Sequence, residues 1–155
     1  MTFTLHLYRQ QAEAFRAGKL RQYRVPLIPQ PLTFAPTSGD LFDDAEMPAL
    51  ELFKWPPQNE ELLSKERLNQ ACPFGKAGAQ VELLECLPFD KKQSLGHATV
   101  KAVSVARLEG ISDAEIVMEG YLNWTQYAYA WNEHHARIGS PWDVDPYVWV
   151  VELLP

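Results

Sequence analysis

Apolar and polar residues alternate in several stretches of the chain, and this pattern predicts strands. Residues 2–7 alternate apolar and polar side chains near the N-terminus, which is typical of a half-buried strand. Residues 80–86 form a second strand candidate. Residues 97–108 form the clearest one, because they are rich in β-branched side chains and lie between Gly96 and Gly110.

A further alternating stretch covers residues 147–153 near the C-terminus. It follows Pro146, a position where a missing N–H does no harm to a strand. The period of two separates its side chains into two faces, with Tyr147, Trp149 and Val151 on one and Val148, Val150 and Glu152 on the other.

Two longer segments have helical features. Residues 8–17 contain three alanines, which favour helix, and Gly18 follows as a natural stop. Residues 125–138 repeat large side chains at a spacing of three to four and end at Gly139. We expect both segments to be helices.

Two shorter helices are predicted from their possible caps. Ser112 and Glu115 form a capping box, which opens a helix that closes at Gly120. Residues 59–70 are either a short helix with Asn59 as its N-cap or a loop insertion.

The region between the first helix and residue 70 has little regular pattern. Four prolines between residues 26 and 36 prevent regular structure other than extended chain. Residues 36–48 predict an exposed acidic loop, and residues 50–55 predict a short strand that ends at two prolines.

The predicted order is strand, helix, strands, two helices and a final strand. Without regular βαβ alternation this order indicates an α+β fold, in which strands from both ends of the chain form a barrel-like sheet. The 155 residues suit one domain. We therefore expect a single domain over 1–155 with a loop-rich insertion around 32–70.

Charge is unevenly distributed along the chain. The net charge is −6, which does not suggest a nucleic-acid-binding protein by itself. Residues 1–25 nevertheless carry five basic side chains against one acidic, and residues 38–61 carry seven acidic against one basic. Within it, the acidic loop from Asp40 to Glu46 is either a solvated loop or a phosphate mimic presented to a host nucleic-acid-binding protein.

The sequence predicts neither a metal site nor membrane contact. Cys72 and Cys86 lack partners at zinc-site spacing, so we expect reduced thiols and no metal or cofactor. No apolar run reaches membrane-spanning length, and the N-terminus lacks the features of a signal peptide. We expect a cytoplasmic protein.

Four motifs carry a resemblance to a known family. Residues 14–24, AFRAGKLRQYR, resemble the ASCH signature, in which a helix ends in Gly and Arg-Lys-Thr-x-Thr-x-Arg follows. Residues 72–78 (CPFGKAG), 107–120 (RLEGISDAEIVMEG) and 142–152 (WDVDPYVWVVE) resemble segments of phage and prophage ASCH-like proteins. The resemblance implies a PUA-like mixed β-barrel with flanking helices, a phage origin and the bacterial host cytoplasm as the compartment.

The same resemblance bears on activity. ASCH proteins are proposed to bind RNA, and one branch hydrolyses acetylated cytidine with a Lys and a Thr of the signature and a downstream Glu. Here Leu20 and Tyr23 stand at the Lys and Thr positions, and Glu119 retains the Glu. Leucine supplies no reactive group, and a phenol with a pKa of about 10 is a poor nucleophile. We expect this hydrolysis to be absent, which favours a protein that is not an enzyme but leaves another activity open, with Lys19 and Glu119 as the remaining catalytic candidates.

The candidate nucleic-acid-binding residues are Lys19, Arg21, Tyr23, Arg24 and Trp142. We expect the basic residues after the first helix to line one groove beside the Trp-rich final strand. There they either contact phosphates or form a solvated basic turn at the helix end. Trp142 either stacks on a base or packs in the core. We expect His134 and His135 to be surface histidines and not a metal site, because the side chains of adjacent helical residues point about 100° apart.

Three functions remain open from the sequence. The first is binding of nucleic acid, RNA rather than DNA. The second is binding of a host protein, as a phage accessory factor or an inhibitor of a host defence system. The third is a hydrolase or ribonuclease with a site rebuilt around Glu119.

Overall fold

The strand near the N-terminus and the strand near the C-terminus belong to the same curled sheet. The computed structural model describes residues 3–34 and 51–155. The strands in these ranges are β1 (Phe3–Leu7), β2 (Gln22–Pro26), β3 (Leu32–Phe34), β4 (Leu52–Lys54), β5 (Gln80–Cys86), β6 (Lys92–Arg107) and β7 (Tyr147–Leu153). The helices are α1 (Arg9–Arg16), α2 (Lys65–Gln70), α3 (Asp113–Met118) and α4 (Trp124–His135).

Five strands form a half-barrel in the order β1-β5-β6-β7-β2. β1 and β5 are parallel, and the other neighbours in this sheet are antiparallel. β3 and β4 form a separate two-stranded sheet. The predicted α+β class and the joining of strands from both chain ends are therefore confirmed.

β6 causes the sheet to curl. Its first half pairs with β5 and its second half pairs with β7, so the strand bridges the two sides of the sheet. The register shifts between Leu83 and Leu84, and again between Val100 and Ala102. Such irregularities bend a strand and increase its twist.

The last strand is buried on both faces. Tyr147 and Trp149 pack in a cluster with Leu27, Phe53 and Leu68. Val148 and Val150 face the opposite side, in a cluster that includes side chains of α3 and α4. The predicted alternation of residues 147–153 is confirmed, and it places β7 between two halves of the core.

Several predicted boundaries differ from the observed ones. The strand predicted at 97–108 begins five residues earlier, at Lys92. The predicted cap Asn59 is wrong: α2 begins at Lys65, and the Ser64 hydroxyl accepts a hydrogen bond from the Arg67 N–H. Asn59 instead accepts from the Glu61 N–H in a local turn.

The other helices lie close to their predicted positions. The helix predicted at 8–17 is α1, and the capping box at Ser112 opens α3 as expected. The helix predicted at 125–138 is capped by Asn123, and its last turn, Ala136–Ile138, is a 3-10 helix. The predicted acidic loop 36–48 lies outside the described residues.

A glycine allows α3 to end close against α1. Gly120 has a φ of +96°, and a Cβ atom there would lie 2.7 Å from the Gln10 carbonyl oxygen. Glu119, the residue before Gly120, is fully buried at this close approach of α3 to α1.

The helices of the described residues are each too short or too polar to cross a bilayer.

Candidate functional site

A small cleft lies where the start of α1, strand β2 and helix α4 meet. Its lining consists of polar and aromatic side chains plus one alanine: Tyr8, Gln11, Tyr23, Arg24, Tyr121, Tyr127, Ala130, Trp131, His134 and His135. The free volume is about 10 Å³, which is room for roughly one water molecule.

Two of the lining rings lie face to face. The ring centroids of Tyr8 and His134 are 3.3 Å apart, and the ring planes are 4° from parallel. Both side chains are half-buried. The side chains of Tyr8 and His134 therefore lie at the cleft without being fully buried in the core.

A buried guanidinium lies at the base of the cleft. Arg24 on β2 is 4% exposed and Glu119 is fully buried. The Arg24 Nη1 donates to Gln22 Oε1 at 2.9 Å and lies 3.4 Å from Glu119 Oε2. Its Nη2 donates to Glu115 Oε2 at 2.6 Å. Arg24 therefore binds two carboxylates, Glu115 in α3 and Glu119 at the C-terminal cap of α3, and links both to the sheet.

Glu115 holds Arg24 through a local sequence motif. Its Oε1 accepts a hydrogen bond from the Ser112 N–H at 3.1 Å, which completes the capping box of α3. Its other oxygen binds Arg24. The same four residues that start the helix therefore also place a carboxylate beside the cleft.

Two buried polar atoms in this cluster have no hydrogen-bond partner among the described residues. They are Nε of Arg24 and Oε1 of Glu119. An unsatisfied buried donor or acceptor costs about 1–3 kcal/mol, and more for a charged group. A water molecule within reach of the Arg24 Nε would satisfy this donor, and the same residue lines the cleft.

Burial determines how the site titrates. It raises the pKa of Glu119, and the nearby Arg24 guanidinium only partly opposes this effect. For Glu115, burial is the largest single effect and raises the pKa, but the hydrogen bonds from Arg24 and Ser112 and the Arg24 charge together outweigh it, so its pKa is lowered. Arg24 itself loses solvation, but Glu119 and the other acidic neighbours raise its pKa.

The aromatic wall of the cleft is uncharged near neutral pH. Burial raises the pKa of the Tyr23, Tyr121 and Tyr127 phenols, which therefore keep their protons. Burial lowers the pKa of His135 to about 4, with a smaller contribution from His134. The wall therefore offers neutral rings for stacking and neutral groups for hydrogen bonds.

The structure does not bring the three basic residues of the signature into one groove. Arg24 is buried beneath the cleft. Lys19 lies on the surface, in a groove of about 320 Å³ that shares Tyr121 with the cleft. Arg21 borders two other depressions beside the last residues of the chain. Of these three basic residues, only Lys19 is both exposed and next to the cleft.

The other predicted residues divide between the cleft and the core. Tyr23 lines the cleft and packs edge-on against Phe74. Leu20, expected at the Lys position of the ASCH signature that the segment resembles, lies in the core. Trp142 packs edge-on against Tyr127 and does not line the cleft.

The expectation that His134 and His135 are both surface residues is wrong. His135 is buried and its ring lies 4.1 Å from that of Trp131, while His134 stacks on Tyr8. Both rings lie near that of Tyr8, the residue that precedes α1. Among the described residues, no group of three or more His, Cys, Asp or Glu is placed to hold a metal ion.

Sequence reasoning did not select several residues of the cleft, notably Tyr8, Gln11 and Tyr121. The regular spacing of Tyr127 and Trp131 was visible, but it indicated only a buried helix face. Tyr8 had no such pattern, since it is the single residue between β1 and α1.

The chemistry of the cleft suits recognition. Its lining contains no Ser, Thr, Cys or Lys among the described residues, and its phenols have raised pKa values. What it presents is a set of stackable rings, the Gln11 amide and an arginine donor.

Comparison of the chain with protein-family models, curated proteins and solved structures finds no match.

Proposed function

We propose that this chain is a PUA-like domain of the ASCH type that binds single-stranded RNA, taking an unpaired base into the aromatic cleft. The observation that carries the proposal is a cleft lined by aromatic rings and by Arg24, whose buried Nε has no hydrogen-bond partner among the described residues. The half-barrel with β2 directly after the α1 signature is compatible with that family. The phage-like motifs make the bacterial host cytoplasm the proposed compartment.

Base recognition would use the rings and polar groups that line the cleft. The Tyr8 and His134 rings already stack on each other, and a base entering between them would exchange one stacking contact for two. Gln11 and the Arg24 Nε supply donors and acceptors for the polar edge of the base. The small free volume means that the two rings must separate for a base to enter.

Backbone contacts would be few. Arg24 is neutralised by Glu115 and Glu119, so it is not available to a phosphate. Lys19 in the adjoining groove is the cation best placed to reach one. With so few phosphates neutralised and a net charge of −6, affinity should depend only weakly on salt.

Fluorescence anisotropy with a labelled single-stranded RNA tests the proposal. His134→Ala removes one stacking ring and should weaken binding roughly fivefold or more, because base–aromatic stacking contributes about 1–3 kcal/mol. Lys19→Ala should lower the slope of log affinity against log salt by about one. The exposed Lys65 on α2 provides the control Lys65→Ala, which should change neither.

Absence of RNA binding by the unmodified protein would reject the proposal. Equal binding by the wild type and His134→Ala would reject the cleft as the site. Both variants alter residues that are at least partly exposed, so loss of folding should not obscure the result.

A second candidate function is binding of a host protein by a phage accessory factor. The observation in its favour is a set of exposed apolar side chains near the Lys19 groove: Val117, Leu122 and Trp124. Large exposed apolar groups close together are typical of protein interfaces. Affinity capture from bacterial lysate should then recover a stoichiometric partner, and Leu122→Glu should abolish the capture.

A further inference from the structure

The hairpin between β5 and β6 ends in an exposed aromatic residue. Phe89 is 94% exposed, the highest value for any large apolar side chain among the described residues. The Leu87 N–H donates to the Lys91 carbonyl oxygen at 2.8 Å, which closes the tip around Phe89 and Asp90. The ring therefore projects from a defined turn.

The backbone at this tip is unfavourable for phenylalanine. Phe89 has a φ of +62° and Asp90 a φ of +58°. A hairpin turn with two positive φ values strongly favours Asn or Asp followed by Gly. Asp tolerates the left-handed region, but a bulky residue such as phenylalanine there is an outlier. Folding thus gains nothing from Phe89 through its backbone or through burial of its ring.

Positive charge adjoins the ring. Lys91 and Lys92 follow the turn and both are exposed. An aromatic face next to cationic side chains is the combination that single-strand-binding proteins use, with stacking on the base and attraction of the phosphate. One ring beside three charged residues is a poor membrane anchor, since interfacial binding requires a broad apolar face.

We propose that the tip of the β5–β6 hairpin is a second contact for single-stranded RNA, in which Phe89 stacks on an unpaired base and Lys91 and Lys92 contact flanking phosphates. This inference rests on the proposed function, because it assumes the same ligand class. It adds a contact outside the cleft, and neither contact shares residues with the other.

The test combines stability and binding for Phe89→Gly. Glycine accepts the positive φ without strain, so this variant should unfold at a higher temperature than the wild type. The same variant should bind a labelled single-stranded RNA about five- to 150-fold more weakly, through loss of one stacking contact. Phe89→Trp should retain the affinity of the wild type.

Tyr129→Ala is the matched control. Tyr129 is an exposed aromatic residue on α4 that does not line the cleft. Its replacement should leave RNA affinity unchanged. The double variant Lys91→Ala/Lys92→Ala should lower the slope of log affinity against log salt by about two, because two phosphate contacts are lost.

Each outcome separates this inference from the proposed function. If the wild type binds RNA and Phe89→Gly binds equally well, the hairpin contact is overturned and the cleft proposal stands. If the wild type binds no RNA, the proposed function itself fails. If Phe89 is instead required for binding to vesicles of phosphatidylserine and phosphatidylcholine, the tip is a membrane contact and this inference is overturned.

Discussion

The Nη1 atom of Arg24 lies 3.4 Å from the Oε2 atom of Glu119, and both side chains are excluded from solvent. The pair joins β2 to the residue that caps the C-terminal end of α3. Since the charges are buried, Glu119 depends on Arg24 for compensation, and Arg24 depends on Glu119 and Glu115.

Arg24→Met should destabilise the protein strongly. It leaves the buried Glu119 carboxylate without a cation, and removing one partner of a buried pair costs about 3–5 kcal/mol. The free energy of unfolding measured in urea tests this. The control is Arg67→Met, which breaks an exposed pair with Glu61 and should cost at most about 1 kcal/mol. Equal losses in both variants would contradict a compensating role for Arg24.

Acid should destabilise the protein through His135. Its pKa is lowered from 6.5 to about 4, so the folded state favours the neutral ring. The contribution to stability is complete above the unfolded pKa of 6.5 and is lost as the pH falls toward 4. This pKa shift corresponds to a loss of up to about 3 kcal/mol in the free energy of unfolding once the pH has fallen to about 4.

The measurement for His135 compares unfolding free energies across this pH range for the wild type and His135→Phe. The variant should lack this part of the acid sensitivity. The comparison is needed because the raised pKa of Glu119 has the opposite effect and stabilises the fold on protonation. His97→Gln, at an exposed histidine, should keep the wild-type profile. Identical pH profiles for wild type and His135→Phe would disprove the prediction.

Gly120→Ala should lower stability and also disturb the cleft. The positive φ costs an alanine about 1–2 kcal/mol, and the new Cβ would lie 2.7 Å from the Gln10 carbonyl oxygen. Because that contact is with backbone, the end of α3 and Glu119 must shift.

The matched control for Gly120 is Gly110→Ala. A Cβ at Gly110 meets nothing within 4 Å. Its melting temperature and RNA affinity should equal those of the wild type, whereas both should fall for Gly120→Ala. An unchanged melting temperature for Gly120→Ala would show that α1 and α3 do not need this close approach.

Local patterns in the sequence predicted elements better than they predicted the site. The strands at 80–86 and 147–153 and the capping box at Ser112 were found because each is encoded by neighbouring residues. The first part of β6 was missed because Lys92 to Ser94 are exposed and polar and show no alternation. Pairing with β5, and not local preference, makes that part a strand.

The burial of Arg24 was not predictable from its neighbours in sequence. Residues 19–24 look like a solvated basic segment, but the partners that bury Arg24 lie more than 90 residues away, at Glu115 and Glu119. Glu119 was selected through the family resemblance. The partnership itself depends on the packing of α3 against α1, which no local pattern encodes.

The register of β2 on β7 has a consequence for protein synthesis. Gln22 pairs with Glu152, and the two are 130 residues apart. Arg24 lies beside Val150 in the same ladder, so in a chain still on the ribosome β2 has no partner strand in this sheet until β7 has emerged. Until then the nascent chain carries an open strand edge, which invites chaperones or early aggregation.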